Sequence, residues 1–223
     1  RIAVSMINRA EEEGRLQPGG TIYEGTAGNT GIALALVGVS RGYKVKVVMP
    51  DKMSAGKISH LKALGAEVVL TRSDVGRGHP QYYQDLARAL AQDDPNGFFI
   101  NQFENAANPS AHHESTGPEI WAQTEGNIDC FVAGIGSGGT ISGCGNFLRE
   151  KNPDIELVLA DPVGSILAPL INEGKTIEAG SWLVEGVGED FVPDIADISI
   201  LNEAVTVDDK ESFLVARELL RAE

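Results

Sequence analysis

Apolar positions along this chain fall into short runs of two alternating periods. Ile2 to Glu13 has helical spacing, and Thr21 to Tyr23 is a short extended run ending in the turn Glu24-Gly25-Thr26-Ala27-Gly28-Asn29-Thr30-Gly31. A helix follows at once: its apolar stretch Ile32 to Val39 closes at Arg41-Gly42, and the β-branched run Lys44 to Met49 is stopped by Pro50. The pattern repeats with a helix from the capping residue Ser54 to about Leu64, a strand Glu67 to Leu70, a helix Gln81 to Ala91 and a strand Phe98 to Ile100.

The second half has the same grammar. A helix is predicted over Glu114 to Gln123, a strand over Cys130 to Ala133, a glycine loop, a helix over Ile141 to Lys151, a strand over Glu156 to Ala160, and a closing helix from Asp208. Ile166 to Asn202 reads as loops with short extended pieces. Strands alternating with helices at this spacing imply parallel sheets covered on both faces, so the fold class is α/β, with two doubly wound units. The polar, irregular stretch Asn101 to Pro109 marks the change between them, giving domains 1–104 and 105–223.

Composition narrows the function. A net charge of −14 repels phosphate backbones and anionic lipid heads, which argues against nucleic-acid and membrane roles and leaves small-molecule chemistry open. Two cysteines, Cys130 and Cys144, are too few for a disulfide framework and read as core residues in a reducing, cytoplasmic compartment. No apolar run reaches the ~18 residues of a membrane span. The four histidines, His60, His79, His112 and His113, lack the spacing of a metal site, and none is predicted.

Two glycine-bearing junctions carry candidate chemistry. Gly134-Ile135-Gly136-Ser137-Gly138-Gly139-Thr140 lies between a strand and a helix, where glycines let consecutive backbone N–H groups converge at the helix's positive end and Ser137 and Thr140 add hydroxyls. A phosphate is the natural ligand, a tight structural turn the plain alternative. The same loop matches G-x-G-x-x-G, with Asp161 placed where a ribose-binding acid would stand, so a dinucleotide-binding oxidoreductase domain is a rival reading. Thr26 to Gly31 is a second cradle, of amide and hydroxyl donors suited to a carboxylate, which the dinucleotide reading leaves unexplained.

Together the two loops resemble those of the cystathionine β-synthase and cysteine synthase family of pyridoxal-phosphate enzymes, whose pattern T-S-G-N-T-G precedes a G-T-G-G-T phosphate loop. Asn101-Gln102-Phe103-Glu104-Asn105-Ala106-Ala107-Asn108-Pro109 and Thr116-Gly117-Pro118-Glu119-Ile120-Trp121 are similar to further family segments, so the likeness runs nearly end to end. The resemblance implies the type II (tryptophan synthase β-like) fold in truncated form, with the first domain the smaller and mobile one. It implies pyridoxal 5′-phosphate as cofactor, its phosphate bound by Gly136, Ser137, Gly138, Gly139 and Thr140 and its 3′ oxygen by Asn29. Thr26, Ala27, Gly28, Thr30 and Gln102 would hold the substrate carboxylate, with Gly186 also on the substrate side.

Asp161-Pro162-Val163-Gly164-Ser165-Ile166-Leu167 and Val184-Glu185-Gly186-Val187-Gly188-Glu189-Asp190-Phe191-Val192-Pro193 look like cystathionine β-synthase stretches, whereas Phe103 is the cysteine-synthase residue and Ala27 departs from the usual Ser. The resemblance therefore implies β-replacement on L-serine by homocysteine, or on O-acetylserine by sulfide, in a homodimer. The Gln102 segment is of the synthase rather than the dehydratase type. No catalytic lysine is assigned: Lys52, Lys57 and Lys62 lack the family's S-x-K-D-R context, which Arg1-Ile2-Ala3 would directly follow. On this reading the chain alone does not turn over, and a non-catalytic ligand-binding module is the third alternative.

Overall fold

Valine and isoleucine set the strands, and the apolar faces of the helices cover them. The computed structural model describes every residue except Ala27. The elements in order are α1 (Ile2–Glu12), β1 (Thr21–Gly25), α2 (Asn29–Ser40), β2 (Lys44–Pro50), α3 (Ala55–Ala63), β3 (Glu67–Thr71), α4 (Tyr83–Asp93), β4 (Gly97–Phe99) and α5 (Ala107–Ala111). A π-helical turn (His112–Thr116) leads to α6 (Gly117–Gln123), β5 (Cys130–Ala133), α7 (Gly139–Lys151), β6 (Glu156–Pro162), α8 (Leu167–Glu173), a 3₁₀ turn (Ile198–Ile200), β7 (Glu203–Val207) and α9 (Asp209–Ala222). The chain divides into two compact units, Arg1–Asn108 and Pro109–Glu223.

In the first unit four parallel strands lie in the order β3-β2-β1-β4. The chain winds outward from β1 to β3, then crosses back to place β4 on the other side of β1. Right-handed crossovers send helices to opposite faces when the winding reverses. Accordingly α4 packs on β1, β2 and β4, while α2 packs with α1 and α3 and against β2. Covered on both sides, β1 is buried at all five positions. Met6, Ile7, Ile22, Leu34, Val45, Val47 and Leu61 form the centre of this core. Ser54 caps α3 by accepting the Lys57 N–H, as its position before an apolar run predicts.

The second unit holds a three-stranded parallel sheet, β5-β6-β7. Its core has two parts, one around Ile135, Ile141, Leu159 and Leu167, the other around Leu148, Ile155 and Leu157. Several elements exceed the sequence expectation, among them α5, which starts inside the stretch read as irregular. Helix α8 forms within Ile166 to Asn202 although Pro169 interrupts its periodicity, because proline is tolerated in a first turn where the N–H has no helical acceptor. Strand β7 alternates Ala204 and Thr206 with Val205 and Val207, and only Ala204 is buried, so its apolar signal is weak. Cys130 departs from the core reading: β5 is an edge strand and leaves it exposed, while Cys144 is buried in α7.

Packing of this kind fixes the cost of truncating core side chains. Leu34→Ala, at a fully buried position of α2, should lower unfolding free energy by about 2–5 kcal/mol. Leu36→Ala, on the exposed face of the same helix, should change it by no more than about 0.5 kcal/mol. Urea unfolding of the two variants measures both.

Candidate functional site

In open parallel sheets the crevice lies at the carboxyl ends of the two strands where the winding reverses. Here those strands are β1 and β4, and the residues that follow them are Thr26 to Gly31 and Asn101 to Gln102. The Thr26 hydroxyl accepts the Gly28 N–H at 3.2 Å, which folds the loop back on itself. Gly28 is the N-cap of α2 and offers no side chain to the helix, so the first-turn N–H groups of α2 meet no side-chain cap. From the β4 side, Gln102 is 8% exposed and its Oε1 accepts the Thr30 hydroxyl at 2.6 Å. The Asn108 side-chain amide donates to the Gln102 carbonyl at 3.0 Å, and Asn101 holds a positive φ of 50°. The structure thus places Thr26, Gly28, Asn29, Thr30 and Gln102 after two neighbouring strands of one sheet, joined by the Thr30–Gln102 bond. Ala27 lies outside the described residues.

Glu24, the last polar residue of β1 before this loop, is 1% exposed. Burial pushes its carboxyl up to about 8, against the lowering effect of N–H groups donated by Gln102 and Asn101, of the Gln102 side-chain amide and of the Arg88 charge. One of its oxygens, Oε2, has no hydrogen-bond partner among the described residues. Sequence reading passes over Glu24, which stands at the carboxyl end of the buried strand β1, directly before a donor-rich loop.

In the second unit the glycine loop joins β5 to α7. Gly138 is the N-cap of α7 with φ 86°, and α7 has no side-chain cap. A Cβ on Gly138 would stand 2.5 Å from Ala196 Cβ, and one on Gly136 would stand 2.6 Å from the Gly186 carbonyl oxygen. The loop is therefore pressed between α7 and the 184–196 segment, and the Gly188 N–H donates to the Ile135 carbonyl at 2.8 Å. Gly186 sits against this loop. Thr140 is exposed at the first turn of α7, and His112 hydrogen-bonds through its two ring nitrogens to Thr116 Oγ1 at 2.9 Å and to Thr140 Oγ1 at 3.3 Å. A close-packed glycine loop, an uncapped helix start and the hydroxyls of Ser137 and Thr140 fit a phosphate. His112 has a role here that a search for metal ligands does not find, and no metal-binding cluster occurs among the described residues.

Asp161 does not serve as a ribose acid. It is 1% exposed, and its Oδ2 accepts the Ala168 N–H at 2.9 Å in the first turn of α8. Burial raises its carboxyl despite that bond. The acid at this position anchors a helix.

A family model described as "Pyridoxal-phosphate dependent enzyme" matches residues 1–223. The chain is 45% identical to the cystathionine beta-synthase of Apis mellifera, covering 100% of this chain and 44% of that protein. It is 43% identical to the cystathionine beta-synthase of Saccharomyces cerevisiae, covering 100% and 45% respectively. Cysteine synthase 3 of Caenorhabditis elegans is 43% identical, covering 98% and 63%. The chain thus spans about half the length of the curated relatives it matches.

Two expectations follow from this geometry. Gly138→Ala adds a Cβ against Ala196 at a left-handed φ, which should destabilise the second unit by about 1–3 kcal/mol and weaken retention of pyridoxal phosphate, read by urea unfolding and by cofactor titration. The second concerns Glu24, whose folded state keeps a proton that the unfolded chain releases above its ordinary value of 4.5. The stability held by that proton is complete below about 4.5 and is lost as pH rises through about 8. Glu24→Gln should therefore flatten the stability–pH curve between those limits by about 1.4 kcal/mol per pH unit, measured by urea unfolding at several pH values.

Proposed function

The chain belongs to the pyridoxal-phosphate dependent enzymes, and from that premise we propose that its parent protein carries out β-replacement on serine, condensing L-serine with homocysteine to cystathionine. The observation that carries this choice is the segment Val184 to Pro193. It resembles the cystathionine β-synthase stretch, and in the structure it packs on the glycine loop through the Gly188 N–H and the Gly186 carbonyl. The names of the relatives from Apis mellifera and Saccharomyces cerevisiae agree with it. Phe103, the cysteine-synthase residue at its position and 8% exposed, supports the second reading, O-acetylserine plus sulfide to cysteine. The relative from Caenorhabditis elegans carries that name.

When bound, pyridoxal phosphate supplies an electron sink that stabilises negative charge at the substrate Cα and so labilises the β-substituent. On this reading the residues of the chain bind and orient. Gly136, Ser137, Gly138, Gly139 and Thr140 hold the cofactor phosphate by backbone N–H and hydroxyl donors, with His112 fixing the Thr140 hydroxyl. Asn29 hydrogen-bonds the 3′ oxygen of the cofactor ring. Thr26, Gly28, Thr30 and Gln102, with Ala27 of the same loop, hold the amino-acid carboxylate at the start of α2. That grip fixes the substrate's Cα–H and β-substituent at defined directions, which is how positioning lowers the barrier to a proton transfer. Gly186, beside the glycine loop, bounds the space for the substrate's β-substituent. We take the protein to work in the cytoplasm as a homodimer on small molecules. No helix of the described residues is long and apolar enough to cross a membrane.

The test gives the full-length parent protein L-serine with homocysteine and O-acetylserine with sulfide, side by side, with products separated chromatographically. Cystathionine as the dominant product is the expected result. Cysteine as the dominant product assigns the second reading, and failure to retain pyridoxal phosphate overturns both.

A further inference from the structure

The described residues 183–196, which press on the glycine loop of the second unit, form neither helix nor strand, so the bonds that pin them set their position. At the middle of the segment the Gly188 N–H donates to the Ile135 carbonyl at 2.8 Å. The next N–H, of Glu189, donates to Ser165 Oγ at 3.2 Å, and the Glu189 carbonyl accepts the Ile166 N–H at 3.1 Å. Just beyond its far end the Asp197 N–H donates to Ser142 Oγ of α7 at 2.8 Å. At its start the partner is a side chain of α9. The Asp209 carboxylate accepts the Leu183 N–H at 2.9 Å on both oxygens and the Val184 N–H at 3.0 Å on Oδ1. Capping of α9 falls to Asp208, which accepts the Glu211 N–H at 2.8 Å, so the Asp209 side chain serves the segment and not its own helix. The contacts with the glycine loop follow directly. A Cβ on Gly136 would stand 2.6 Å from the Gly186 carbonyl oxygen, and one on Gly134 would stand 2.4 Å from Val187 Cγ1. Val184 and Val187 border a cavity of about 180 Å³ together with Gly134, Ala160, Pro162 and Val207. Where such space lies against a segment, dispersion contacts hold it less, and hydrogen bonds fix it more.

We infer that Asp209 is a positioning residue for the cofactor phosphate: its grip on the Leu183 and Val184 N–H groups holds Gly186 and Val187 against the glycine loop and keeps the loop's donors convergent on the anion. The inference rests on the reading of that loop as the phosphate cradle. Glycine backbone has the widest choice of conformations, so a loop rich in it needs a wall from outside to hold one of them. A carboxylate suits the task, because its charge strengthens each N–H bond it accepts and it can take more than one. Without that grip the wall relaxes, and the loop spends only part of its time with the N–H groups aimed at the phosphate. Cofactor affinity then falls in proportion to that fraction.

The experiment uses the full-length protein loaded with pyridoxal phosphate, comparing wild type with Asp209→Ala, Asp209→Asn and the cap variant Asp208→Ala. Cofactor affinity is read by fluorescence titration, the bound phosphate by its phosphorus NMR signal, and the segment by amide hydrogen exchange over residues 183–190. Asp209→Ala should weaken cofactor affinity about tenfold, move the phosphorus signal toward that of free cofactor and speed exchange in the segment. Asp209→Asn keeps one acceptor oxygen and should lose about threefold. Asp208→Ala removes a helix cap and no bond to the segment; it should lower stability in urea while affinity and phosphorus signal stay at wild type. A loss in Asp208→Ala equal to that in Asp209→Ala overturns the inference, since general stability would then account for both. If Asp209→Ala does not fold, Asp209→Asn decides, and wild-type affinity with a wild-type phosphorus signal overturns the inference. Pyridoxal held as tightly as pyridoxal phosphate would sink the cradle reading itself. Retention that depends on the phosphate yet is unchanged in Asp209→Ala would sink the inference alone.

Discussion

Both helices that follow a candidate loop, α2 and α7, begin at a glycine and have no side-chain cap. A Ser, Asp or Asn at an N-cap is worth about 1 kcal/mol over a residue that cannot cap, because it satisfies an N–H that the helix leaves open. Glycine forgoes that side-chain bond and leaves the donors facing outward, at the positive end of a 12-residue or a 13-residue helix. An anion then completes the helix as a capping side chain would. Ser54 and Asp208 cap α3 and α9, and α1, α4, α6 and α8 also lack a side-chain cap but start at Arg1, Tyr82, Thr116 and Ile166, so the glycine N-cap is what sets α2 and α7 apart. Everything proposed for the protein depends on these two open helix starts.

An open helix start needs a frame that fixes its direction, and the two units supply this differently. In the second unit the frame is steric: the 184–196 segment closes on the loop so tightly that Gly136 and Gly138 have no room for a side chain. In the first unit it is polar. The Thr30 hydroxyl donates to Gln102 Oε1 across the switch point between β1 and β4, and the buried Glu24 stands at the end of β1. Burying a carboxyl without an opposite charge in contact disfavours its ionised form strongly, and a protonated Glu24 avoids most of that penalty. The Asn101 backbone at φ 50° is the strained element of this frame, held by bonds from both sides.

The same contrast explains what was legible in the sequence. Periodicity found β1 to β6 within a residue or two, because buried parallel strands are written in β-branched runs and their helices in helical spacing. The two donor loops were legible because glycines and hydroxyls cluster at strand–helix junctions. Helix α8 was hidden by Pro169, and β7 by its one buried residue. His112 was hidden for a deeper reason: it acts through a bond to Thr140, distant in the chain, and no local pattern announces such a bond. Asp161 shows the converse, since a motif spacing placed it at a ribose while its carboxyl is turned inward to α8. Spacing constrains where a residue lies in the chain, not which way its side chain points.

A chain with net charge −14 that recognises a phosphate and a carboxylate has to do so locally. Long-range attraction is unavailable, since the chain as a whole repels anions and salt screens exposed charges beyond about 8–10 Å. Backbone N–H groups and neutral hydroxyls solve this, because their effect is confined to hydrogen-bond distance and is undiminished by distant acids. The arrangement also sets a limit on what may stand nearby. An ionised carboxylate within a few ångströms, in the weakly screened interior, would offset the donors it adjoins. A buried acid at the crevice is therefore compatible with anion binding only while it holds its proton, and the environment of Glu24 favours that state.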